Sequence, residues 1–192
     1  MRLFVGIGMP PAIQDRLHRL RSAIPGARWI DRENLHLTLR FIGELAGDEA
    51  EDVAFALSRI EAEAFDLRLR GLGHFENGGE PTQLWADVEP CPSLTRLQEK
   101  VDSALRRSGV RFEKRNFRAH VTLARLRGAP LDRVRSFLRD RANFSADPFF
   151  VDRFTLFSSH LGKRGAQYVA EADYPLGGAV LMEWDEEREE IL

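Results

Sequence analysis

The sequence contains a single cysteine, Cys91, among 192 residues. One cysteine cannot form an internal disulfide, and the chain has no cysteine pairs with the spacing of a zinc site. This excludes disulfide-stapled folds and cysteine-based metal centres. It also favours a reducing compartment, and we expect the protein in the cytoplasm.

Long apolar runs are also missing. The first residues hold too short an apolar stretch for a signal peptide, and no segment approaches the roughly 20 apolar residues that span a membrane. Charge of one sign is not in excess either, since 28 basic and 30 acidic residues give a net charge of −2. A protein that binds nucleic acid through a broad surface must neutralise many phosphates with basic residues, and a net charge of −2 does not suggest such a surface. We therefore expect no membrane contact, and any phosphate site must be local.

The chain does have enough apolar sequence for a core. Its composition, 43% hydrophobic and 30% charged, is that of one compact domain at this length. Acidic residues crowd the end of the sequence, between Glu183 and Glu190. We predict one domain at 1–176, followed by an acidic C-terminal extension at 177–192 to which no role is assigned.

The order of the predicted elements repeats along the chain. A shift of 84 residues, the interval from His36 to His120, places strand on strand and helix on helix. We therefore predict an α+β, bilobal fold whose two lobes are related by a pseudo-twofold axis. Each lobe has a small, mainly antiparallel sheet with helices on one face. The two histidine strands meet at a central groove between the lobes. The matched segments are strands 2–7 and 83–88, the helices with apolar spacing at Ile13, Leu17, Leu20 and Ile24 and at Leu94, Leu97, Val101 and Leu105, strands 34–42 and 120–126, the helices from Asp48 and from Pro130, and strands 65–72 and 149–156.

Each half carries a His-x-Thr motif on a strand. Side chains alternate between the two faces of a strand, so His36 and Thr38 share one face while Leu37 points into the core. By the same alternation, His120 and Thr122 share a face. Each strand thus presents an imidazole beside a hydroxyl.

Two histidines that face each other across a groove can open a cyclic phosphodiester. The reaction needs a base for the attacking water and an acid for the departing ribose oxygen, and an imidazole can serve as either near neutral pH. The hydroxyls of Thr38 and Thr122 can donate to the non-bridging oxygens. The sequence does not decide which histidine is the acid; we favour His36 as the acid and His120 as the base, with the roles exchanged in the reverse reaction.

Two arginines near these motifs are candidates for binding the substrate phosphate through a bidentate contact. Arg40 continues the polar face of the first strand by simple alternation, which also predicts that Phe41 is part of the core. Arg125 lies just beyond the second motif, but simple alternation places its side chain on the opposite face of the strand from His120. It reaches the phosphate only if a bulge or turn follows Leu123.

Trp85 shares a strand face with Gln83 and Asp87. It is either a platform for stacking an RNA base or part of the core between the lobes, and we favour the core. A histidine pair can also bind metal, but zinc sites in proteins use three or four ligands, and no HExxH or cysteine cluster completes the set. We expect no metal and no cofactor.

Several stretches of this chain resemble the 2'-5' RNA ligase family of the two-histidine phosphoesterases. The resemblance extends from about Arg2 to Leu176. It is carried by RLFVGI at 2–7, RWIDRENLHLTLRFIGEL at 28–45, LRLRGLGHF at 67–75, LWADVE at 84–89 and FRAHVTLARLR at 117–127.

The resemblance implies a bilobal α+β protein that hydrolyses RNA 2',3'-cyclic phosphates to 2'-phosphates without a metal. Some members also join tRNA halves reversibly through 2'-5' linkages. By motif match, His36, Thr38, His120 and Thr122 take the catalytic positions. Arg125 takes the position of the phosphate-binding arginine.

A second hypothesis is a non-catalytic module that binds RNA or a nucleotide phosphate in the same groove. Binding alone would not require two complete His-x-Thr motifs, which favours the enzyme. A third hypothesis, a purely structural partner protein, predicts no effect of the histidines beyond stability. For the enzyme we expect a monomer whose partners are RNA ends with a 2',3'-cyclic phosphate, tRNA halves among them, or nucleoside cyclic phosphates.

Overall fold

The computed structural model describes residues 1–112, 116–162 and 165–177. Apart from Gly177, the predicted acidic extension lies outside the described residues. Ten strands and four α-helices lie within the described ranges. The strands are β1 (Arg2–Gly8), β2 (Ala27–Trp29), β3 (His36–Glu44), β4 (Phe65–Leu67), β5 (Leu69–Asn77), β6 (Glu80–Val88), β7 (His120–Leu126), β8 (Phe149–Val151), β9 (Arg153–Gly162) and β10 (Gly165–Pro175), and the helices are α1 (Pro11–His18), α2 (Gly47–Ser58), α3 (Pro92–Arg107) and α4 (Leu131–Asp140).

Eight strands form one sheet in the order β10-β9-β1-β3-β7-β6-β5, with β2 paired to β7. β4 and β8 form a separate antiparallel pair. The large sheet consists of two lobes, one around β3 and one around β7. Within the described residues, the two lobes are hydrogen-bonded through one register pair, Leu37 with Val121.

The pseudo-twofold axis passes through this pair, because Leu37 and Val121 are equivalent under the 84-residue shift. Asp66 and Phe150, also equivalent under that shift, face each other in the β4–β8 pair. A residue can pair with its own equivalent only at the axis that relates the two halves. The predicted bilobal α+β fold is confirmed.

The lobes exchange strands between the two halves of the chain. Beside β1 lie β9 and β10, which come from the second half, whereas β5 from the first half lies beside β6. The short strands β4 and β8 directly precede β5 and β9, so the chain crosses between lobes at the axis. The repeat predicted lobes that coincide with the halves; the structure shows that each lobe is completed by the other half.

Helices cover the buried face of the sheet. α3 packs on β3 and α2, α2 reaches β10, and α4 packs on β5 and β6. The predicted apolar face of α3 is buried: Leu97, Val101 and Leu105 have no exposed surface. No helix in the described part of the chain is long and apolar enough to cross a membrane.

Helix α1 is shorter than its apolar spacing predicts. It ends at His18, although Leu20 and Ile24 continue the spacing. Ile24 precedes Pro25, and a residue before proline is disfavoured in helical backbone. Both side chains still pack against the core, so the pattern predicted burial correctly and the helix end incorrectly.

Strand β3 contains a β-bulge that reverses its alternation. Val5 of β1 pairs with Arg40 and Gly6 pairs with Thr38, which leaves Leu39 as the extra residue. Beyond the bulge, Arg40 turns to the helix side of the sheet and is 9% exposed. The predictions that Arg40 faces the groove to bind phosphate and that Phe41 is core are therefore wrong; Phe41 is 60% exposed.

Arg40 instead forms a buried ion pair with Asp102 of α3. Its Nε and Nη2 each donate to a carboxylate oxygen of Asp102 at 2.6 Å. The guanidinium also lies 5.1 Å from the ring centroid of Phe112, and Arg106 approaches Asp102 at 3.7 Å. This pair ties a strand of the first half to a helix of the second.

Replacing Asp102 by alanine leaves the charge of Arg40 buried beside Phe112 without its carboxylate. Removing one member of a buried pair typically costs about 3–5 kcal/mol, whereas replacing both by apolar residues is often close to neutral. We expect Asp102→Ala to lower the free energy of unfolding by about this amount in urea, and Arg40→Met with Asp102→Leu to recover most of it. Asp140→Ala, an exposed change on α4, is the control. A loss for Asp102→Ala no larger than the control's would contradict the prediction.

Candidate active site

The face of the sheet opposite the helices carries both His-x-Thr motifs, and we call it the histidine face. It includes His36 and Thr38 of β3 and His120 and Thr122 of β7, all partly buried. The antiparallel register about the axis places His36 across from Thr122 and Thr38 across from His120. The sequence therefore predicted the shared face of these four side chains correctly.

Arg125 joins the histidine face through a second bulge. The register of β7 against β6 shifts by one residue between Thr122 and Arg125, with Leu123 as the extra residue. This is the bulge that the sequence required for Arg125 to face the same way as His120. The guanidinium charge of Arg125, from the second half, also contributes to lowering the pKa of His36 in the first half.

Each histidine is held by a backbone carbonyl two residues before it. Nδ1 of His36 lies 2.7 Å from the carbonyl oxygen of Asn34, and Nδ1 of His120 lies 2.7 Å from that of Arg118. A carbonyl oxygen only accepts, so Nδ1 carries the proton in both rings and Nε2 remains available for chemistry. The hydroxyl of Thr38 lies 3.1 Å from Nε2 of His36 and can donate to it.

Burial lowers the pKa of both imidazoles. The pKa of His36 is lowered from 6.5 to about 4, chiefly by desolvation, with smaller contributions from the charges of His120 and Arg125 and against the opposing effect of the Asn34 carbonyl. Desolvation also lowers the pKa of His120; Arg118 adds to this, while the Arg118 carbonyl and the carboxylate of Asp87 oppose it. Both rings are thus neutral bases in the free protein near pH 7.

The His36 side of the site is enclosed by aromatic rings. The ring centroids of Phe4 and Tyr168 lie 4.7 and 5.0 Å from that of His36, and Phe157 lies 6.1 Å away. The buried side chain of Asn34 fixes this wall: its amide donates to a carbonyl of β10 at 3.0 Å, and its oxygen accepts from the Tyr168 N–H at 3.4 Å. β10 is thereby held over His36.

The His120 side has a different wall. Phe75 packs edge-on against His120 with centroids 5.1 Å apart, and Trp85 lies 6.3 Å from it. Trp85 is only 4% exposed, because its ring lies against Gly73, where a Cβ would come within 2.2 Å of it, and beneath Arg118. Trp85 is therefore core, as favoured from sequence, and its use as an open stacking platform is not supported.

Sequence reasoning missed the carbonyl supports and the two aromatic walls. A signal for the supports was present: Asn34 and Arg118 are equivalent under the 84-residue shift and precede their histidines by the same two residues. The walls had no such signal, because Phe4 and Tyr168 come from strands at opposite ends of the chain. Within the described residues, no group of three or more His, Cys, Asp or Glu side chains is placed to hold a metal ion.

This arrangement can act on an anion held between the two motifs. Two Nε2 atoms can exchange protons with it, two hydroxyls can donate hydrogen bonds, and one guanidinium can neutralise its charge. Such a set of groups suits phosphoryl chemistry with proton transfer at two opposed oxygens.

Comparison with known families agrees with the internal repeat. The model of the LigT-like phosphoesterases matches this chain twice, over residues 7–85 and 87–168. Each match contains one His-x-Thr motif, so the two matches correspond to the two halves.

The alignments with curated relatives and solved structures extend over most of the chain. An RNA 2',3'-cyclic phosphodiesterase of Aeropyrum pernix is 35% identical over 80% of this chain and 90% of its own length. One from Archaeoglobus fulgidus is 30% identical over 88% of this chain and 96% of its own. The structure of Escherichia coli LigT complexed with 3'-AMP aligns with a TM-score of 0.76 at 25% identity, covering 92% of this chain and 98% of that one.

The burial of His36 gives a test by NMR. We expect its imidazole to stay neutral, with the proton on Nδ1, until the pH falls to about 4. In the unfolded chain the pKa is near 6.5, so between pH 6.5 and about 4 the unfolded chain binds a proton on His36 that the folded protein does not. The free energy of unfolding should then fall as the pH drops from about 6.5 towards 4, less so in His36→Gln. Nitrogen chemical shifts across the titration report both pKa and tautomer, and titration of His36 near 6.5 would contradict the prediction.

Proposed function

The chain belongs to the LigT-like phosphoesterase family, and on this premise we propose that it is an RNA 2',3'-cyclic phosphodiesterase that leaves a 2'-phosphate end. Its curated relatives carry that activity in their names. One observation carries the mechanism: each half presents an imidazole whose Nδ1 is bound to a carbonyl and whose Nε2 is available, on the same face and on either side of the axis.

In the proposed reaction, water attacks phosphorus as the bond from phosphorus to O3' breaks. One Nε2 accepts the proton of the water, and the other, protonated, donates to O3'. The products are a 2'-phosphate and a free 3'-hydroxyl. The proton gained by one histidine and lost by the other is then exchanged with solvent, which restores the starting state.

Burial lowers the pKa of both rings, which does not reverse the roles favoured from sequence, His36 as the acid and His120 as the base. His36, with its pKa lowered to about 4, is neutral in the free protein and must gain a proton in the substrate complex to act as the acid. The pKa of His120 is lowered chiefly by burial, against the opposing effect of the Asp87 carboxylate, and the neutral ring can accept the proton of the water. A bound phosphodiester anion raises the pKa of both rings, since an opposite charge stabilises the charged imidazole.

The remaining polar groups stabilise charge on the phosphate. We assign the hydroxyls of Thr38 and Thr122 to the non-bridging oxygens, where negative charge accumulates as the water attacks. Arg125, exposed on the same face, provides the neutralising cation and a planar pair of donors. These groups and the two histidines suffice for the proposed steps, and we assign no step to a metal ion.

The substrate class follows from the reacting group. The reacting group is a 2',3'-cyclic phosphate, which occurs at the ends of RNA, including tRNA halves, and in nucleoside cyclic phosphates. If a 5'-hydroxyl replaces the water, the same proton transfers produce a 2'-5' linkage, which is the ligation that the family resemblance implies. Escherichia coli LigT has been crystallised with 3'-AMP, which agrees with a nucleotide in the groove.

Hydrolysis of an oligoribonucleotide ending in a 2',3'-cyclic phosphate tests the proposal. We expect the wild type to produce a 2'-phosphate end at the same rate with and without EDTA. His36→Ala and His120→Ala should each lose about 10²- to 10⁴-fold in kcat, the usual contribution of a general acid or base. His18→Ala, an exposed histidine at the end of α1, is the matched control.

An inert wild type that binds the oligonucleotide would favour the non-catalytic binding module. Full activity in both groove variants would favour a purely structural role for the histidines. Loss of rate in EDTA that added metal restores would overturn the metal-independent mechanism.

The two arginines should separate phosphate binding from stability. We expect Arg125→Ala to reduce kcat/KM by about 10- to 100-fold, because hydrogen bonds to charged groups contribute about 1.5–3 kcal/mol. Arg125→Lys should recover only part of this, since an ammonium lacks the planar pair of donors. Arg40→Ala should instead lower the free energy of unfolding and leave kcat/KM of the folded protein nearly unchanged. Steady-state kinetics and urea unfolding of the three variants distinguish the effects, and the reverse pattern would refute them.

A further inference from the structure

Asn34 is bonded to two different parts of the active site. The residue is 9% exposed. Its side-chain nitrogen donates to the carbonyl of Ala166 at 3.0 Å, and its side-chain oxygen accepts from the N–H of Tyr168 at 3.4 Å. Its backbone carbonyl lies 2.7 Å from Nδ1 of His36. A single residue therefore joins the imidazole of His36 to the backbone of β10.

The two bonds to β10 resemble the pairing of one strand with the next. β10 is at the end of the large sheet, and an edge strand presents a row of unpaired N–H and C=O groups. The amide of Asn34 bonds one carbonyl and one N–H of this strand, as a residue of a further strand would. The side chain thus takes the place of a neighbouring strand and holds this part of β10 over the histidine face.

Tyr168, whose N–H is bonded to Asn34, covers the imidazole of His36. Its ring meets that of His36 edge-on, with centroids 5.0 Å apart, and meets that of Phe4 in the same way at 5.0 Å. Phe157 of β9 completes the wall at 6.1 Å from His36. Holding β10 in place therefore keeps water away from one side of the reacting ring.

This burial is the largest cause of the low pKa of His36, about 4, whereas the bond to the Asn34 carbonyl acts in the opposite direction. His120 and Arg125 of β7 face the same ring and lower its pKa by their charge. The phenol of Tyr168 is the titratable group that faces it from β10, and β1 and β9 contribute phenylalanine rings.

The equivalent residue in the other half, Arg118, has only the first of these two roles. Its carbonyl lies 2.7 Å from Nδ1 of His120, but its side chain is exposed and lies over Trp85. In the described part of the chain the lobe of β7 ends at β5, so Arg118 has no counterpart of β10 to hold. The carbonyl support is common to both halves, and its connection to a covering strand belongs to His36.

We propose that Asn34 is a positioning residue, which joins the β10 wall and the His36 imidazole into one unit and so keeps the ring dry and in a single orientation. The role rests on the proposed function, since His36 is one of the two rings that transfer protons. Asn34 acts through its carbonyl and through Tyr168, and we assign it no contact with the reacting phosphate.

Nitrogen chemical shifts of His36 in the free protein test this connection without any turnover. In Asn34→Ala, β10 loses both side-chain bonds and water reaches the ring, so the pKa should rise from about 4 to above about 5, towards 6.5. The Tyr168 N–H should be protected from hydrogen exchange in the wild type and exchange about 2- to 10-fold faster in the variant, as for the loss of one hydrogen bond. An unprotected Tyr168 N–H in the wild type would overturn the proposal.

Tyr168→Ala separates the wall from the residue that holds it. It leaves Asn34 in place and removes the ring, so the pKa of His36 should again rise. If Asn34 acts through this wall, the double variant should show a pKa close to the higher of the two single variants, because coupled changes do not add. A shift in the double variant equal to the sum of the two would contradict the proposal.

Asp102→Ala is the control for loss of stability alone. It breaks the buried pair with Arg40 on the helix side of the sheet, and the pKa of His36 should stay near 4. An equal rise of the pKa in Asp102→Ala and in Asn34→Ala would overturn the proposal. So would a pKa that stays near 4 in Asn34→Ala although exchange at Tyr168 accelerates.

Turnover of a 2',3'-cyclic phosphate is measured separately. We expect Asn34→Ala to lower kcat by up to about 10²-fold, the cost of misplacing a reacting group by 1 Å, with a smaller change in KM. Asp102→Ala should keep the kcat of the wild type. A full kcat in Asn34→Ala would refute the positioning role. A wild type that does not hydrolyse would refute the proposed function, whereas the pKa and exchange measurements would still decide whether Asn34 holds the wall.

Discussion

The whole site depends on one contact, the pairing of Leu37 with Val121 across the pseudo-twofold axis. Both side chains are fully buried under the helices. Because strand residues alternate, burying this pair forces the flanking residues of both strands onto the opposite face. His36 and His120 therefore share a surface as a direct result of how the core is packed. The two imidazoles are related by the same pseudo-twofold axis that passes through the Leu37–Val121 pair beneath them.

Two bulges decide which residues accompany the histidines. Each follows the threonine of its motif by one residue, at Leu39 and at Leu123. Simple alternation predicted the four motif residues correctly because they precede the bulges, and it misplaced Arg40 and Phe41 because they follow one. The repeat contained the information to avoid this error. Once Arg125 is inferred to need a bulge, the equivalent position in the first half needs one too.

Other features were beyond a reading of local patterns. Periodicity predicts a strand but not its neighbours, so the exchange of β5 and β9 between lobes could not be inferred from the repeat. The end of α1 was misplaced because the apolar spacing continues past the helix. The low pKa of His36 comes chiefly from burial, and the rings that pack around it, Phe4, Phe157 and Tyr168, are far from it in sequence. Desolvation of this kind depends on three-dimensional packing alone.

The crossing of the chain at β4 and β8 has a consequence for how such a protein can arise. A polypeptide of half this length would have a strand, β5, that leaves its own lobe to complete a neighbour's. Two identical copies related by a true twofold axis would supply that strand to each other and bring one histidine each to a shared groove. The duplicated chain thus has the strand arrangement that a symmetric, strand-swapped homodimer of half-length chains would have.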